Sequence, residues 1–212
     1  MILFKTHTDL DTVIEAASSA IINTQQASLV GFQVNATVNS TAGTFNASTA
    51  VSVAYDTITI TAHGYYTGQV GQFTITGSLP TGISTLTNYY IVVIDANTIQ
   101  VASSLINALA IPAVPVNITA VGSNATATFT PISLSGCSYK LQHSADYDYR
   151  TSSGNWTDAV SGETNTVVTN TITTSANSFA SLINNCFPYV RILFAISAGS
   201  VKIQVISHTK SR

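Results

Sequence analysis

Side chains able to perform acid–base or metal chemistry are few in this chain, and they are scattered. None of the four histidines lies at a metal-ligand spacing from another histidine or from a cysteine; they are His7, His63, His143 and His208. The sequence contains no Gly-x-Ser-x-Gly nucleophile motif and no glycine-rich phosphate loop. We therefore expect no catalytic residue, no cofactor and no metal site, and we predict that the protein is not an enzyme.

Close pairs of carboxylates occur twice, and each has a simple structural interpretation. Asp9 and Asp11 lie where an N-terminal helix would begin, so they complement its dipole. Asp146 and Asp148 alternate on a loop, a pattern that hard cations favour, but two ligands fall short of the six to eight oxygens that Ca²⁺ takes. We expect a solvated loop here, with Arg150 as an available ion-pair partner, and keep a metal site as the alternative.

The two cysteines do not form a disulfide framework. Cys137 and Cys186 are compatible with a bond across two strands or with two buried thiols, and the second interpretation is simpler.

Aromatic side chains are the best candidates for binding. Trp156 follows a Gly-Asn turn, where it either joins a core or presents its ring to a sugar, and the core is the simpler interpretation. Adjacent strand residues point to opposite faces, so one of Tyr89 and Tyr90 should be buried and the other exposed. Arg191, inside an apolar strand, is either outward-facing or paired with an acid such as Asp158. The predicted partner or glycan contacts are Tyr65, Tyr66, Tyr89, Tyr90, Tyr147 and Tyr149.

Charge is scarce and unevenly distributed. Charged residues make up 8% of the 212 residues, against a usual share of about 25%. From Ala16 to Tyr139 the only charged residues are Asp56 and Asp95. A net charge of −2 offers no field to attract nucleic acid, and Thr, Ser and Asn interrupt every apolar run before membrane-spanning length. Since so neutral a surface promotes association, we expect a homo-oligomer or a component of an assembly.

Periodicity predicts one helix followed by strands. Leu10, Val13, Ile14, Ala17 and Ile21 share one helical face, with Thr8 as the cap and an end near 22–23. Residues 30–38 alternate with a period of two, as a half-solvated strand does. A polar loop is expected over 39–49. Further strands, turns and a short helical segment at 103–109 are expected beyond it.

The block from about 50 to 130 carries an ordered set of short motifs. They are Thr57–Gly64, Thr67–Gly68, Leu79–Ile83, Tyr89–Val92, Asp95–Ser104 and Asn107–Ala110. This order resembles a small β module that recurs in virion proteins of tailed bacteriophages. The resemblance implies that Ile58 and Ile60 point inward. It also implies that Gly64, Gly68 and Gly82 occupy turns with a positive φ. The residue types at 95–97 themselves predict a tight turn that includes Asn97.

A second ordered set lies in the C-terminal third. Its motifs are Gly136–Asp146, Gly154–Asp158, Phe187–Ile192 and Ser200–Ile206. They resemble a phage β-sandwich, to which strand 31–38 would also belong. The chain departs from that pattern after Asp146, where residues 147–153 replace a tight Asp-Gly turn.

The two resemblances together imply one module inserted into another. The expected fold is all-β: an antiparallel β-sandwich with a short N-terminal α-helix, formed by 1–48 and 132–212, with a small β module at 49–131 inserted between two strands.

What the resemblance implies about function is a structural role in the virion. The expected role is an accessory head protein (capsid decoration or fibre base) or a neck or tail protein that contacts other virion proteins. The first residues do not form a secretory signal, and the length favours a compact particle component over a full fibre. The alternative is a carbohydrate-binding module for host attachment, and neither nucleic acid nor membrane is an expected partner.

Overall fold

The chain folds almost entirely into antiparallel β-structure. A computed structural model describes residues 4–15, 18–23, 29–159, 169–184 and 188–210. Within them lies one short helix, α1 (Leu105–Leu109). The strands are β1 (Phe4–Ile14), β2 (Ser18–Asn23), β3 (Leu29–Thr37), β4 (Gly43–Asn46), β5 (Val51–Ser52), β6 (Thr57–Thr59), β7 (Val70–Ile75), β8 (Tyr89–Val93), β9 (Thr98–Ala102), β10 (Thr126–Pro131), β11 (Cys137–Ser144), β12 (Thr157–Asp158), β13 (Thr169–Ile172), β14 (Ala176–Asn184), β15 (Tyr189–Ala195) and β16 (Val201–Lys210).

The chain separates into two compact units. One, which we call the outer unit, comprises 1–37, 135–197 and 202–212, and the other, the inner unit, comprises 38–134 with 198–201. The boundary at 38 lies ahead of β4, because β4 pairs with β10 of the inner unit. That the segment 49–131 is a small β module inserted between two strands of a sandwich stays a prediction.

The outer unit contains two sheets. A four-stranded sheet has the order β1-β16-β3-β14, and a five-strand set has the order β12-β11-β15-β2 with β13 also on β11. Burial alternates along the strands, so that Val190, Ile192 and Phe194 of β15 are buried while their neighbours in the strand are not. This period of two is what the alternating sequence predicts, and the all-β fold is confirmed.

The predicted N-terminal helix is wrong. Its residues form β1 and β2, and β2 pairs in full register with β15, from Asn23 opposite Tyr189 to Ser18 opposite Phe194. The stretch 4–14 also has a period of two, since its charged and histidine side chains occupy every second position from 5 to 11. β-Branched residues at 12, 13, 14, 21 and 22 favour strands, and pairing with a neighbouring strand decides between the two periods.

The inner unit is one seven-stranded sheet around an aromatic core. The strand order is β4-β10-β7-β8-β9-β6-β5. Phe73 lies at the centre, with its ring centroid 5.9 Å from that of Phe45, 5.7 Å from Tyr89 and 5.1 Å from Phe129. Burying these rings together with the surrounding isoleucines stabilises the sheet.

The local expectations for the inner unit hold except in one place. The expected turn near Asp56, the β8–β9 hairpin and the helical segment are all present, the last capped by Ser104, whose Oγ accepts from the Asn107 N–H at 3.1 Å. The predicted loop 39–49 is wrong in its middle, which is β4. Gly43–Asn46 pair with Phe129–Thr126, so β10 supplies a partner for a strand whose Gly and Asn residues have low intrinsic β-propensity.

Candidate functional site

A row of paired polar side chains crosses the β12-β11-β15 sheet of the outer unit. Gln142 lies opposite both Asp158 and Arg191 in the strand register. Its Nε2 donates to Asp158 Oδ1 at 2.5 Å, and its Oε1 accepts from Arg191 Nε at 2.6 Å. Lys140 Nζ lies 2.9 Å from Asp158 Oδ2. These side chains therefore hold one another in fixed positions on the face opposite Leu141 and Ile192.

Four aromatic rings continue this row, and we call them the aromatic cluster: Tyr147, Tyr149, Trp156 and Tyr189. The Tyr147 ring is buried at the centre, with its centroid 4.9 Å from Tyr149, 5.5 Å from Trp156 and 5.7 Å from Tyr189. The guanidinium carbon of Arg191 lies 4.4 Å from the centre of the Trp156 ring, which is a cation–π contact. The cluster and the polar row therefore form one continuous site.

The loop that carries two of these rings is fixed at its base by a carboxylate. Asp146 Oδ1 accepts hydrogen bonds from Ser144 Oγ at 2.8 Å and from the Asn155 N–H at 2.9 Å, and Asp146 Oδ2 accepts from Asn155 Nδ2. Asp148 and Ser153 exchange two backbone hydrogen bonds nearer the tip. Gly154 permits this closure, because a Cβ there would come within 2.8 Å of Tyr147 Cα.

The two aspartates therefore serve as hydrogen-bond acceptors for the loop. Asp148 Oδ1 accepts from the Arg150 N–H at 2.8 Å, and Arg150 Nε lies 3.8 Å from the same oxygen. Across the described ranges, no three His, Cys, Asp or Glu side chains are grouped as metal ligands.

The electrostatics of the site favour fixed charges at neutral pH. The hydrogen bond from Gln142, followed by the one from Lys140, lowers the pKa of Asp158. The backbone N–H of Asn155 contributes most to lowering the pKa of Asp146. Burial lowers the pKa of Arg191 and raises that of Tyr149, and an arginine remains a cation in proteins. The shifts of the two aspartates and of Tyr149 move these groups away from titration at neutral pH, and Arg191 keeps its charge, so the site presents fixed charges.

The predicted contact tyrosines of the inner unit lie largely inside it. Tyr65 and Tyr89 are buried in the aromatic core, and Tyr89 Oη accepts from the Ser84 N–H at 2.9 Å. Tyr66 is half-buried, and its hydroxyl donates to the Ser200 carbonyl oxygen at 2.8 Å. Tyr90 packs beside Val92 on the second face of β8. Of the predicted contacts, Tyr149 is the most exposed, at 52%.

The three predicted turn glycines have a positive φ, whereas Asn97 does not. Gly64, Gly68 and Gly82 have φ of 61°, 89° and 111°. At Gly82 a Cβ would lie 2.4 Å from the Asn117 carbonyl oxygen, so both the space and the backbone require glycine. Asn97 lies in its turn with a negative φ: its N–H donates to Asp95 Oδ1 at 2.7 Å, and its own Oδ1 accepts from the Ala62 N–H at 2.8 Å.

Sequence reasoning did not assign the participation of Tyr189 and Gln142 in this site. The signal was present in part, because 189 and 191 share one strand face with a period of two. Pairing Gln142 with Arg191 needs the β11–β15 register, which no local pattern contains. Cys137 is a buried thiol without a disulfide, with its pKa raised by burial, and Cys186 lies outside the described residues.

Comparisons with known proteins assign no family. No protein-family model matches this chain, and no curated protein matches it. Within the described segments, no helix has the length and apolar character needed to cross a bilayer. The likeness to phage virion modules therefore depends on the motifs alone and stays a prediction.

Proposed function

We propose that this protein is a non-enzymatic structural component of a bacteriophage particle. It would act in the virion as an accessory head protein, of the decoration or fibre-base kind, or as a neck or tail protein, and it would bind neighbouring subunits and copies of itself. The motif resemblance supports the phage assignment. The observation that carries the subunit-binding role is an exposed apolar surface on the inner unit.

This surface, the apolar patch, consists of large side chains that face solvent. Ile111 is 100% exposed, Ile106 81% and Tyr55 74%. The other members are Val53, Leu109 and Val114. Exposed residues of this type occur singly on most proteins, but a contiguous set is typical of an interaction site.

Hydrogen bonds connect the parts of the patch to β9 and to one another. Gln100 Nε2 donates to the Tyr55 carbonyl oxygen at 2.8 Å, and the Val116 N–H donates to the Val101 carbonyl oxygen at 2.7 Å. The Val114 N–H donates to the Asn107 carbonyl oxygen at 2.9 Å, which ties the segment after α1 back to the helix. The turn 53–56 and the segment 110–116 are therefore both tied to β9, and the segment is also tied to α1.

Charge does not protect this surface from association. Asp56 is the only charged residue in these segments, and its Oδ1 accepts from the Ile118 N–H at 2.6 Å. Natural surfaces resist association with interspersed charges, and this one lacks them. A permanent neighbour in an assembly would cover the apolar side chains, at roughly 25 cal/mol per Å² of apolar area buried.

The test is association of the purified chain and its place in the particle. We expect sedimentation velocity to show self-association, or a stable complex with isolated virion proteins, and the variant carrying Ile106→Ser and Ile111→Ser to lose it. The matched control is Leu86→Ser with Val121→Ser, which changes two exposed apolar residues outside the patch. A wild-type chain that stays monomeric and binds no virion protein would disprove the role.

We extend the proposal to the arrangement of the outer unit, which would be a β-sandwich. Phe32 and Val34 of β3 and Ile203 and Val205 of β16 are buried in the four-stranded sheet. Tyr139 and Leu141 of β11 and alternate residues of β15 are buried in the other. Two sheets that each bury one face support face-to-face packing. Distances between spin labels placed on β3 and β15 would test it, with about 10 Å expected between the sheet backbones.

A second candidate function is carbohydrate binding for host attachment. The specific observation is the aromatic cluster, where half-exposed rings lie beside amides, a guanidinium and a carboxylate, groups that recognise sugar hydroxyls. The cluster also has an internal explanation, since Tyr147 packs the loop onto the sheet.

A glycan array separates these two roles of the cluster. If it binds glycans, wild-type chain labels specific glycans and Tyr149→Ala loses them while the fold is retained. Tyr55→Ala, which removes an exposed tyrosine elsewhere, should keep the labelling. If no glycan is labelled by wild type, the cluster only fixes the loop.

A further inference from the structure

The open edge of the inner sheet borders a groove of about 530 Å³, which we call the edge groove. One wall is Thr41–Phe45, which includes most of β4, and the other is Thr59–His63. Phe45 and Ile60 are buried beneath it, threonine hydroxyls line its rim, and none of its lining residues carries a formal charge apart from the titratable ring of His63. The ring is held by two backbone contacts: Nδ1 accepts from the Tyr65 N–H at 2.9 Å, and Nε2 lies 3.0 Å from the Asp95 carbonyl oxygen.

The backbone of β4 directs unpaired groups into this groove. Ala47, one residue past the strand, donates its N–H to the Ala125 carbonyl oxygen, and its own carbonyl oxygen accepts from the Gly122 N–H, so its groups point toward β10. Backbone direction alternates along a strand, so Thr44 and Asn46 point the opposite way. Asn46 does so, since its carbonyl oxygen accepts from the Ala50 N–H. The N–H and C=O of Thr44 therefore face the groove, and neither has a partner among the described residues.

The facing wall also presents a backbone donor. The Ile60 N–H donates to the Asn97 carbonyl oxygen and the Ala62 N–H donates to Asn97 Oδ1, each at 2.8 Å. Both point toward β9. The N–H of Thr61, between them, has no partner among the described residues. The edge groove is thus a gap between two backbone walls.

The protein's own chain closes both ends of this gap. At one end Asn39 Nδ2 donates to the carbonyl oxygens of Gly64 and His63, at 2.9 and 3.3 Å. At the other end the Thr59 N–H donates to the carbonyl oxygen of Ala50. The opening spans about five residues, or roughly 16 Å. A single extended segment fits such an opening, whereas the edge of another sheet would meet the second wall.

A polar atom without a partner lies behind one wall of the gap. Tyr65 Oη is buried and makes no hydrogen bond with any described residue. It lies against Gly43, where a Cβ would come within 2.5 Å of it. Burial raises the pKa of Tyr65 to about 12; the Gly43 backbone opposes this shift but makes no hydrogen bond of ordinary geometry. A buried hydroxyl without a hydrogen bond lowers the stability of the fold, so this wall lacks one hydrogen-bond partner.

We propose that the edge groove binds a single extended, uncharged segment of a different protein, which pairs with Thr44 on one side and Thr61 on the other. Exposed sheet edges are normally protected by charge, proline or a bulge, and β4 has none of these. A strand is the ligand that offers donors and acceptors on both of its edges at the spacing of the walls. Neutral walls favour a neutral guest. This binding site does not depend on the virion role.

The probe for this site is an acetylated and amidated peptide copying residues 125–130, because most of this sequence already pairs with Gly43–Asn46 across the other edge of β4. Titrated into the full-length, isotope-labelled chain, it should saturate and shift the amide signals of Thr44 and Thr61. Two singly N-methylated forms, at the positions of Ala127 and Thr128, each block one edge of the peptide. Each should bind about tenfold more weakly.

Variants of the protein give the matching test. Thr44→Pro removes the N–H that faces the groove and should lower affinity about tenfold, while Thr44→Val keeps the N–H and should bind as wild type does. If Thr44→Pro does not fold, the N-methylated peptides carry the test.

Three results would overturn the proposal. The first is the absence of saturable shifts at millimolar peptide, and the second is equal binding of the methylated and unmethylated peptides. The third is a shift of the Thr44 signal with protein concentration alone, because the groove would then be occupied by a second copy of this chain.

Discussion

The two units place their aromatic rings and their charges in opposite ways. The inner unit buries its rings around Phe73 and carries two charged residues, Asp56 and Asp95, between 38 and 134. The outer unit has an aliphatic-rich interior, and its aromatic cluster lies over a charged row on the outside of a sheet. Both units have the same strand periodicity. Period-two alternation therefore determines that a sheet forms, while the placement of rings and charges determines which surfaces remain available for binding.

This difference has consequences for stability and for contacts. In the inner unit the rings contribute to folding, and the neutral surface with its apolar patch is the expected site of association. In the outer unit the half-exposed rings contribute less to folding, because they lose less contact with water. Their positions are fixed by Asp146, Gln142 and Arg191.

Removing a central ring should have the largest effect. Phe73→Ala leaves three facing rings around a cavity, and we expect it to lower the free energy of unfolding by about 3–5 kcal/mol. Denaturant unfolding measures this. Tyr149→Ala, in the half-exposed cluster, is the matched variant and should cost about 1 kcal/mol or less. Similar losses for the two variants would remove the contrast between buried and surface rings.

A backbone change in the inner unit should have the next largest effect. Gly82→Ala forces a side chain into φ of 111° and toward the Asn117 carbonyl oxygen, so we expect a loss of about 2–3 kcal/mol. Gly64→Ala is the control: its φ of 61° is left-handed helical, and the nearest atom lies 3.6 Å away, so about 1 kcal/mol is expected. Thermal unfolding of both variants would show whether φ or space dominates; equal losses would argue against the close contact.

Loss of the helix cap should be smaller. Ser104→Ala removes the acceptor for the Asn107 N–H and should cost about 1 kcal/mol. Ser103→Ala leaves that cap in place and should be close to neutral. Hydrogen exchange at Asn107 and Ala108 would detect local fraying of α1 even where the unfolding midpoint hardly moves. Unchanged exchange at both positions would show that tertiary packing alone holds the helix.

The smallest expected effect is on how the stability of the outer unit depends on pH. The pKa of Asp158 is lowered in the folded chain, so the unfolded chain binds protons more readily, and the stability that this carboxylate contributes is present at neutral pH. It is lost as the pH falls below about 4 and through the lowered pKa. Asp158→Asn should reduce the difference between unfolding at pH 7 and pH 3. An unaltered difference would show that the charged row does not stabilise the outer unit.

How much of the fold could be predicted from sequence depends on the range of the deciding interaction. Alternation at 30–38 and the Asp-Ala-Asn turn are local patterns, and the structure confirms both. The sequence of segment 4–23 fits both the helical period and the strand period of two. It forms strands because β2 pairs with β15, more than 160 residues away. β4 was missed for the same reason, because its Gly and Asn residues suggest a loop until β10 is placed beside it.

The candidate site was predictable in composition and not in geometry. Tyr147, Tyr149, Trp156 and Arg191 were all singled out as residues. They come together through the hydrogen bonds between Asp146 and Asn155 and through the register of β12, β11 and β15. Neither can be derived from a short stretch of sequence. Tyr65 and Tyr89 are predicted partner or glycan contacts, but their side chains face inward and are buried in the aromatic core.

One hydrogen-bonded residue sets a limit on when the inner unit can be completed during synthesis. Ser200 Oγ accepts from the Val70 N–H and its carbonyl oxygen accepts from Tyr66 Oη, across 130 and 134 residues of sequence. At roughly 5–20 residues per second, a ribosome needs on the order of ten seconds to translate that interval. During that interval Val70 and Tyr66 have been made and their partner has not. This part of the inner unit therefore cannot be completed until Ser200 has been translated.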